Sequence, residues 1–232
     1  MNISFAKKLL FLFFFIPVLI IPEIIEINFF DEIFNHLPPN ALVLVDIDNT
    51  ILEPDNLDQR GSDQWFTHLL KTYAPVDAVN HYCSTVLACP MRLVEPRLAE
   101  IFEEIKKITP WIFGFTMRSL VLAPCTIETI QSKGLIFTKL YKNQGFMIDN
   151  KYPVLLYEGI IFCQGNKNGI TLFTVLEEWG LLPHTIVMID DKISYLELID
   201  HVCATRGITF IGLHYKYLEA KVKSFFHSMN KH

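Results

Sequence analysis
Short apolar runs without a polar break alternate along this chain with longer stretches in which apolar residues recur every three or four positions. The runs at 41–45, 111–115, 185–189 and 208–213 are short, and the first three stop at polar groups. That is the pattern of strands buried on both faces of a parallel sheet. Helical periodicity marks 62–73, 75–87, 96–108, 123–133, 170–179 and 218–229. A further helical spacing, carried by Ile27, Phe30, Ile33, Phe34 and Leu37, predicts a lead-in helix over 26–37 that Pro38-Pro39 stops. Residues 135–137 read as one more short strand, and the apolar pieces at 154–157 and 159–163, beside the turn signals Asp149-Asn150 and Glu158-Gly159, as a hairpin-like excursion. Strands alternating with helices predict an α/β fold, a three-layer sandwich around a parallel sheet. The block 53–108 is too long for an ordinary connection between neighbouring strands. It predicts a helical cap inserted after the first core strand, roofing the site.

The first 22 residues have a different pattern. Lys7 and Lys8 precede a nearly continuous apolar run at 9–21, a basic flank and apolar stretch of the secretory type. The run falls short of the roughly 20 residues that cross a bilayer. Where a cleavage triplet of small residues belongs, the chain reads Pro22-Glu23-Ile24-Ile25-Glu26. Residues 1–22 are therefore expected to be a signal peptide or a membrane anchor. The protein is then exported, to the periplasm or beyond, or attached to a membrane through 9–21, and 23–232 form the functional domain.

Composition adds exclusions. A 232-residue chain with 51% apolar residues has ample material for a core. A net charge of -5 without a lysine or arginine run leaves no footprint for nucleic acid. Five cysteines show no C-x-x-C pair and read mainly as small core residues, with Cys83 and Cys89 close enough for a local bridge in an oxidising compartment. His68, His81 and His184 have no partner at metal-ligand spacing. Trp65, Phe66, Tyr73 and Tyr82 fall at helical spacing, which favours packing over a pocket lining.

The chemistry gathers at strand ends. The first core strand runs into Asp46-Ile47-Asp48-Asn49-Thr50, the second into Thr116-Met117-Arg118, and the third into Asp190-Asp191, while Lys167 stands in a glycine-bearing loop that opens a helix. Ligands of open parallel sheets bind at the carboxyl ends of the strands. Four carboxylates at one edge raise one another's pKa or demand a cation. Mg²⁺ meets that demand with a few carboxylates, water and phosphate oxygens. Thr116 offers a hydroxyl and Lys167 a positive charge beside a helix N-terminus, both suited to a phosphoryl group.

These four elements, in this order, resemble the four motifs of the haloacid dehalogenase-like (HAD) superfamily, over about residues 41–215. The resemblance implies a Rossmann-like sheet and phosphoryl chemistry, since the position of Asp48 is not normally an acid in relatives that displace halide. It implies Asp46 as nucleophile and metal ligand, and Asp48 as acid and base with its backbone carbonyl on the metal. Thr116 and Lys167 then lie on the phosphoryl group and Asp190 on Mg²⁺, with Asp191 as an alternative ligand. Ser194 stands where relatives often carry another acid. Arg118 either orients the substrate or sits in a structural salt bridge. More narrowly, the leader, Gly-Ser-Asp-Gln-Trp-Phe at 61–66 and the late stretch around Gly165-Asn166-Lys167 look like a bacterial group of unknown function, DUF2608, found in intracellular bacteria. The general layout also resembles secreted acid phosphatases of the superfamily.

The expected function is a Mg²⁺-dependent phosphatase that hydrolyses a phosphate monoester through an aspartyl-phosphate. Its partner is a small phosphorylated substrate, with a phosphoprotein left open and nucleic acid excluded. Two alternatives stand beside it: a phosphotransferase of the same fold, and a membrane-associated or secreted effector-type binding protein with secondary catalysis.

Overall fold
The computed structural model of the chain describes residues 23–139 and 143–229. The expected signal or anchor segment, 1–22, lies outside them. Among the described residues, no helix is long and apolar enough to cross a membrane.

The first described element is strand β1 (Glu23–Ile27), followed by a six-residue 3-10 helix at Phe30–Asn35. The lead-in helix expected over 26–37 is therefore corrected. Ile24, Ile25 and Ile27 extend the sheet by pairing parallel to the last strand, and only Phe30 and Ile33 keep a helical turn that buries them. The first core strand, β2, is Leu42–Val45. A two-stranded antiparallel ribbon, β3 (Leu52–Pro54) and β4 (Met91–Leu93), carries the chain out to helices α1 (Asp63–Thr72) and α2 (Pro75–Ala88) and back. Then come α3 (Leu98–Ile108), β5 (Ile112–Thr116) and α4 (Ala123–Ser132). A meander of β6 (Gln144–Ile148), β7 (Tyr152–Tyr157) and β8 (Ile160–Phe162) leads to α5 (Gly169–Glu178). The chain closes with β9 (Thr185–Asp190), α6 (Ile193–Thr205), β10 (Thr209–Tyr215) and α7 (Glu219–Met229).

Eight strands form one sheet in the order β1-β10-β9-β2-β5-β8-β7-β6. The first six run parallel, and β8, β7 and β6 form an antiparallel meander at one edge in which β7 alone runs against the rest. Successive residues point to opposite faces, and both faces are covered. Val43, Val45, Val187 and Ile189 join Leu98, Phe102 and Ile105 of α3 and Ile127 and Ile130 of α4 on one side. Leu42, Leu44, Ile186 and Met188 join Leu172, Leu176 of α5 and Leu196, Ile199 of α6 on the other. This is the expected three-layer α/β sandwich. Gly114 of β5 lets Ile160 of β8 close in, because a Cβ there would meet its side chain at 2.8 Å.

Several local expectations change. Residues 135–137 form no strand; Leu135 and Phe137 are core residues of an irregular segment, and the Thr138 N-H donates to Ile112. The block 53–108 divides in two. Helices α1 and α2 share their own small cluster, Leu69, Ala78, Tyr82, Cys83 and Val86, whereas α3 belongs to the main core. All five cysteines are free thiols.

Candidate active site
The register of the sheet places the acids. Val45 of β2 lies opposite Ile189 of β9, so Asp46 and Asp190 leave adjacent parallel strands at one level, and the Asp46 N-H donates to the Ile189 carbonyl at 3.0 Å. On the other flank Val45 pairs with Gly114 of β5, which brings Thr116 to the same edge. The loop after β8 is tied to the one after β5, as Cys163 N-H donates to the Thr116 carbonyl and Gly165 N-H to that of Met117. That tie sets Lys167 over the acids. Asn168 caps α5 by accepting the Thr171 N-H at 2.9 Å, the usual answer to free N-H groups at a helix start.

Lys167 is buried and bridges the two strands. Its Nζ donates to Asp46 Oδ1 at 2.5 Å and to Asp190 Oδ2 at 2.6 Å. Burial works against its charge, but Asp190 and Asp46 outweigh it and hold the ammonium above its usual range. Asp190 Oδ1 accepts the Lys192 N-H at 2.8 Å. Asp191 accepts from the Asn49 side chain at 3.1 Å on Oδ2, and its buried Oδ1 has no partner among the described residues. Two carboxylates thus share the Lys167 cation, with Asp191 beside them. Burial, with help from Asp190 and Asp48 and against Lys167, pushes the Asp46 carboxyl up to about 7. Burial and Asp190 likewise push Asp191 well above the usual carboxylate range.

Asp48 is held otherwise. Arg118 grips both its oxygens, Nε to Oδ2 at 2.9 Å and Nη2 to Oδ1 at 2.8 Å, and a third donor reaches Thr126 of α4 at 2.8 Å. Of the two readings of Arg118, the buried ion pair is formed: the guanidinium bonds Asp48 and Thr126. Thr116 accepts the Arg118 N-H at 3.2 Å and so helps aim that loop. Arg118→Lys keeps the charge but loses the planar two-pronged grip and the Thr126 contact. A loss of about 2 kcal/mol in urea unfolding is expected, the scale of a charge-assisted hydrogen bond; unchanged stability would mean the pair is not formed in solution.

The expected metal set is drawn together in part. One oxygen each of Asp46, Asp190 and Asp191 lie within 4.8 Å of one another; Asp48, expected to lend its backbone carbonyl rather than its side chain, has its carboxylate on Arg118. Ser194 is exposed. The residues fit Mg²⁺ in donor type, because all are hard oxygen ligands and the orphaned Asp191 Oδ1 is a buried acceptor that a cation would satisfy.

Sequence reasoning missed four supports. Asn49 adopts a left-handed φ of 60° and its amide reaches both Gln64 of α1 and Asp191. Thr50 lies 3.4 Å from Asp46 Oδ2. Lys192 pairs with Asp63 of α1, locking the cap to the loop after β9. Tyr82 of α2 reaches Asp48 at 3.5 Å. The sequence signals were Asn49-Thr50, inside the acidic motif itself, and Lys192 directly after Asp190-Asp191.

The family described as "Protein of unknown function (DUF2608)" matches residues 26–232. Among solved structures, the HAD domain of effector protein Lem4 from Legionella pneumophila is similar at 15% identity, covering 83% of this chain and 94% of that one with a TM-score of 0.42. An inactive mutant of the same domain gives 14% identity, 82% and 93% coverage and a TM-score of 0.41. At that level the likeness adds nothing to what the fold itself displays. No curated protein sequence matches the chain.

Proposed function
The chain belongs to the DUF2608 family, and from that premise we propose that it is a HAD-like phosphatase that hydrolyses a phosphate monoester with Mg²⁺. One observation carries the reading: the Asp46 carboxylate stands at the carboxyl end of β2 against Lys167, level with Asp190 and beside Asp191. The carboxylates of Asp46, Asp190 and Asp191 would hold the Mg²⁺ ion, which when bound neutralises charge on the transferring phosphoryl group. Asp46 attacks phosphorus, and the bond from phosphorus to the ester oxygen breaks with its electron pair going to that oxygen. Asp48 supplies the proton to the departing alcohol. It then takes a proton from the water that attacks the aspartyl-phosphate, which releases phosphate and restores Asp46. For this work one Asp48 oxygen must leave Arg118, whose other donors keep the carboxyl in place. Lys167 holds the nucleophile and offers its remaining donor capacity to a phosphoryl oxygen.

Phosphate release from phenyl phosphate is expected with Mg²⁺ and is expected to cease on chelation; turnover that ignores the chelator would remove the metal from the account. Proton linkage gives a second expected outcome. The Asp46 carboxyl lies above its ordinary value of 3.8, so the stability it contributes is fully present below about pH 4 and is lost as pH rises through about 7. A cation on the acids needs that proton gone. Mg²⁺ affinity should therefore rise with pH up to and through about 7, with proton uptake by buffer seen when binding heats are compared in two buffers of different ionisation enthalpy. A flat affinity between pH 5 and 8 would contradict it.

A further inference from the structure
Beside the acids, α1 and α2 and the loops after β5, β8 and β9 enclose a cavity of about 300 Å³. Its walls are apolar and aromatic: Phe66, Leu70, Val79 and Tyr82 from the cap, Met117 and Tyr195 from the body. The cavity adjoins the chemistry directly. Met117 Sδ accepts the Lys167 N-H at 3.3 Å, the Tyr195 ring centroid is 5.1 Å from Lys167 Nζ, and the Tyr82 hydroxyl is 3.5 Å from Asp48. Neither this cavity nor a larger one of about 580 Å³ between α1 and α7 is lined by the site acids themselves; only the smaller one is lined by Tyr82 and Arg118, which contact Asp48.

The charges on these walls are already matched. Arg118 is paired with Asp48, and Lys192 with Asp63. A charged leaving group would enter without a counterion, and a sugar would exchange its water for a few scattered polar groups, Thr67, Ser119, Gln164 and the two tyrosine hydroxyls, on a mostly apolar wall. Both are costly in an apolar setting. The volume is at the low end of small-molecule sites, about 300–1,000 Å³, which suits one ring better than a nucleoside. Phe66 and Tyr82, with centroids 4.8 Å apart and planes at 45°, present an aromatic wall of matching size.

We propose that the ester hydrolysed at Asp46 carries an uncharged, apolar, ring-sized leaving group, seated between the cap residues Phe66, Leu70, Val79 and Tyr82 and the body residues Met117 and Tyr195. The inference rests on the phosphatase reading above. The phosphorus-oxygen bond broken and the proton delivered by Asp48 are the same; only the alcohol that departs is specified.

The test measures kcat/KM of the full chain with Mg²⁺ on benzyl phosphate, glycerol 3-phosphate and glucose 6-phosphate, three alkyl esters of similar intrinsic reactivity, with acetyl phosphate as an activated small substrate. Benzyl phosphate should be favoured over the two polar esters by about 10- to 200-fold, the discrimination an apolar pocket supplies. Leu70→Glu and Val79→Glu place a charge at the cavity mouth, where the native side chains are 44% and 37% exposed, and each should shrink that ratio severalfold with unchanged thermal unfolding. Equal rates on the three esters, a preference for a polar ester, or an unchanged ratio in both folded variants overturns the inference while leaving the phosphatase reading. Failure to turn over any of the four substrates, acetyl phosphate included, overturns the phosphatase reading and this inference with it.

Discussion
Asp46→Asn is expected to lower turnover of an aryl phosphate by about 10⁴-fold or more, the scale on which loss of a nucleophile acts, while the protein melts at the same temperature or higher. Asparagine keeps the shape of the side chain and its place at the end of β2, but its amide does not attack phosphorus. The stability half of the prediction follows from electrostatics. Asp46 is 6% exposed and its carboxyl is pushed up to about 7 by burial and by Asp190 and Asp48, so the native fold carries its charge at a cost near neutral pH. An uncharged group of the same size relieves that crowding and leaves Lys167 to Asp190. Phosphate release and thermal unfolding, measured on the same preparation, separate the outcomes: retained activity removes Asp46 from the reaction, and activity lost together with the fold leaves it a structural residue.

Lys167→Met has the opposite sign for stability. The ammonium lies between Asp46 and Asp190 with its side chain fully buried. Removing one partner of a buried ion pair while the other stays costs about 3–5 kcal/mol, and here two acids are left facing each other with Asp191 beside them. The midpoint of urea unfolding should fall accordingly, and activity should go with it because the nucleophile loses its anchor. Mg²⁺ should restore more stability to this variant than to the native protein, since a cation relieves the same repulsion. A variant as stable as the native protein without Mg²⁺ would mean that the acids take up protons at no cost.

Much of this arrangement is legible in the sequence, because apolar runs that stop at acids are a local signal and their parallel register follows from the fold. Leu42–Val45, Ile112–Thr116 and Thr185–Asp190 all deliver their polar ends to one edge. What escapes is non-local. Residues 23–27 have no strand pattern of their own to separate them from the helical spacing that follows; the open edge of β10 recruits them, a tertiary choice that outweighs local preference. Helix α6 was not among the elements predicted, because Tyr195, Leu198 and Val202 add apolar positions off its buried stripe of Leu196, Ile199 and Cys203 and blur the period. The grip of Arg118 on Asp48 and of Lys192 on Asp63 joins residues 70 and 129 positions apart, and spacing along the chain cannot express it. Within 53–108, too, only packing distinguishes α3, which joins the main core, from α1 and α2, which share a cluster of their own.

Asp46 is expected to carry the phosphoryl group during turnover. Acid quench of the enzyme during hydrolysis of an aryl phosphate, followed by borohydride reduction, converts an acyl phosphate to homoserine, and peptide mass spectrometry locates it. Homoserine at position 46, formed only with substrate and absent in Asp46→Asn, is the predicted result. Steady release of phosphate with no modified residue at position 46, or with the modification elsewhere, would contradict it.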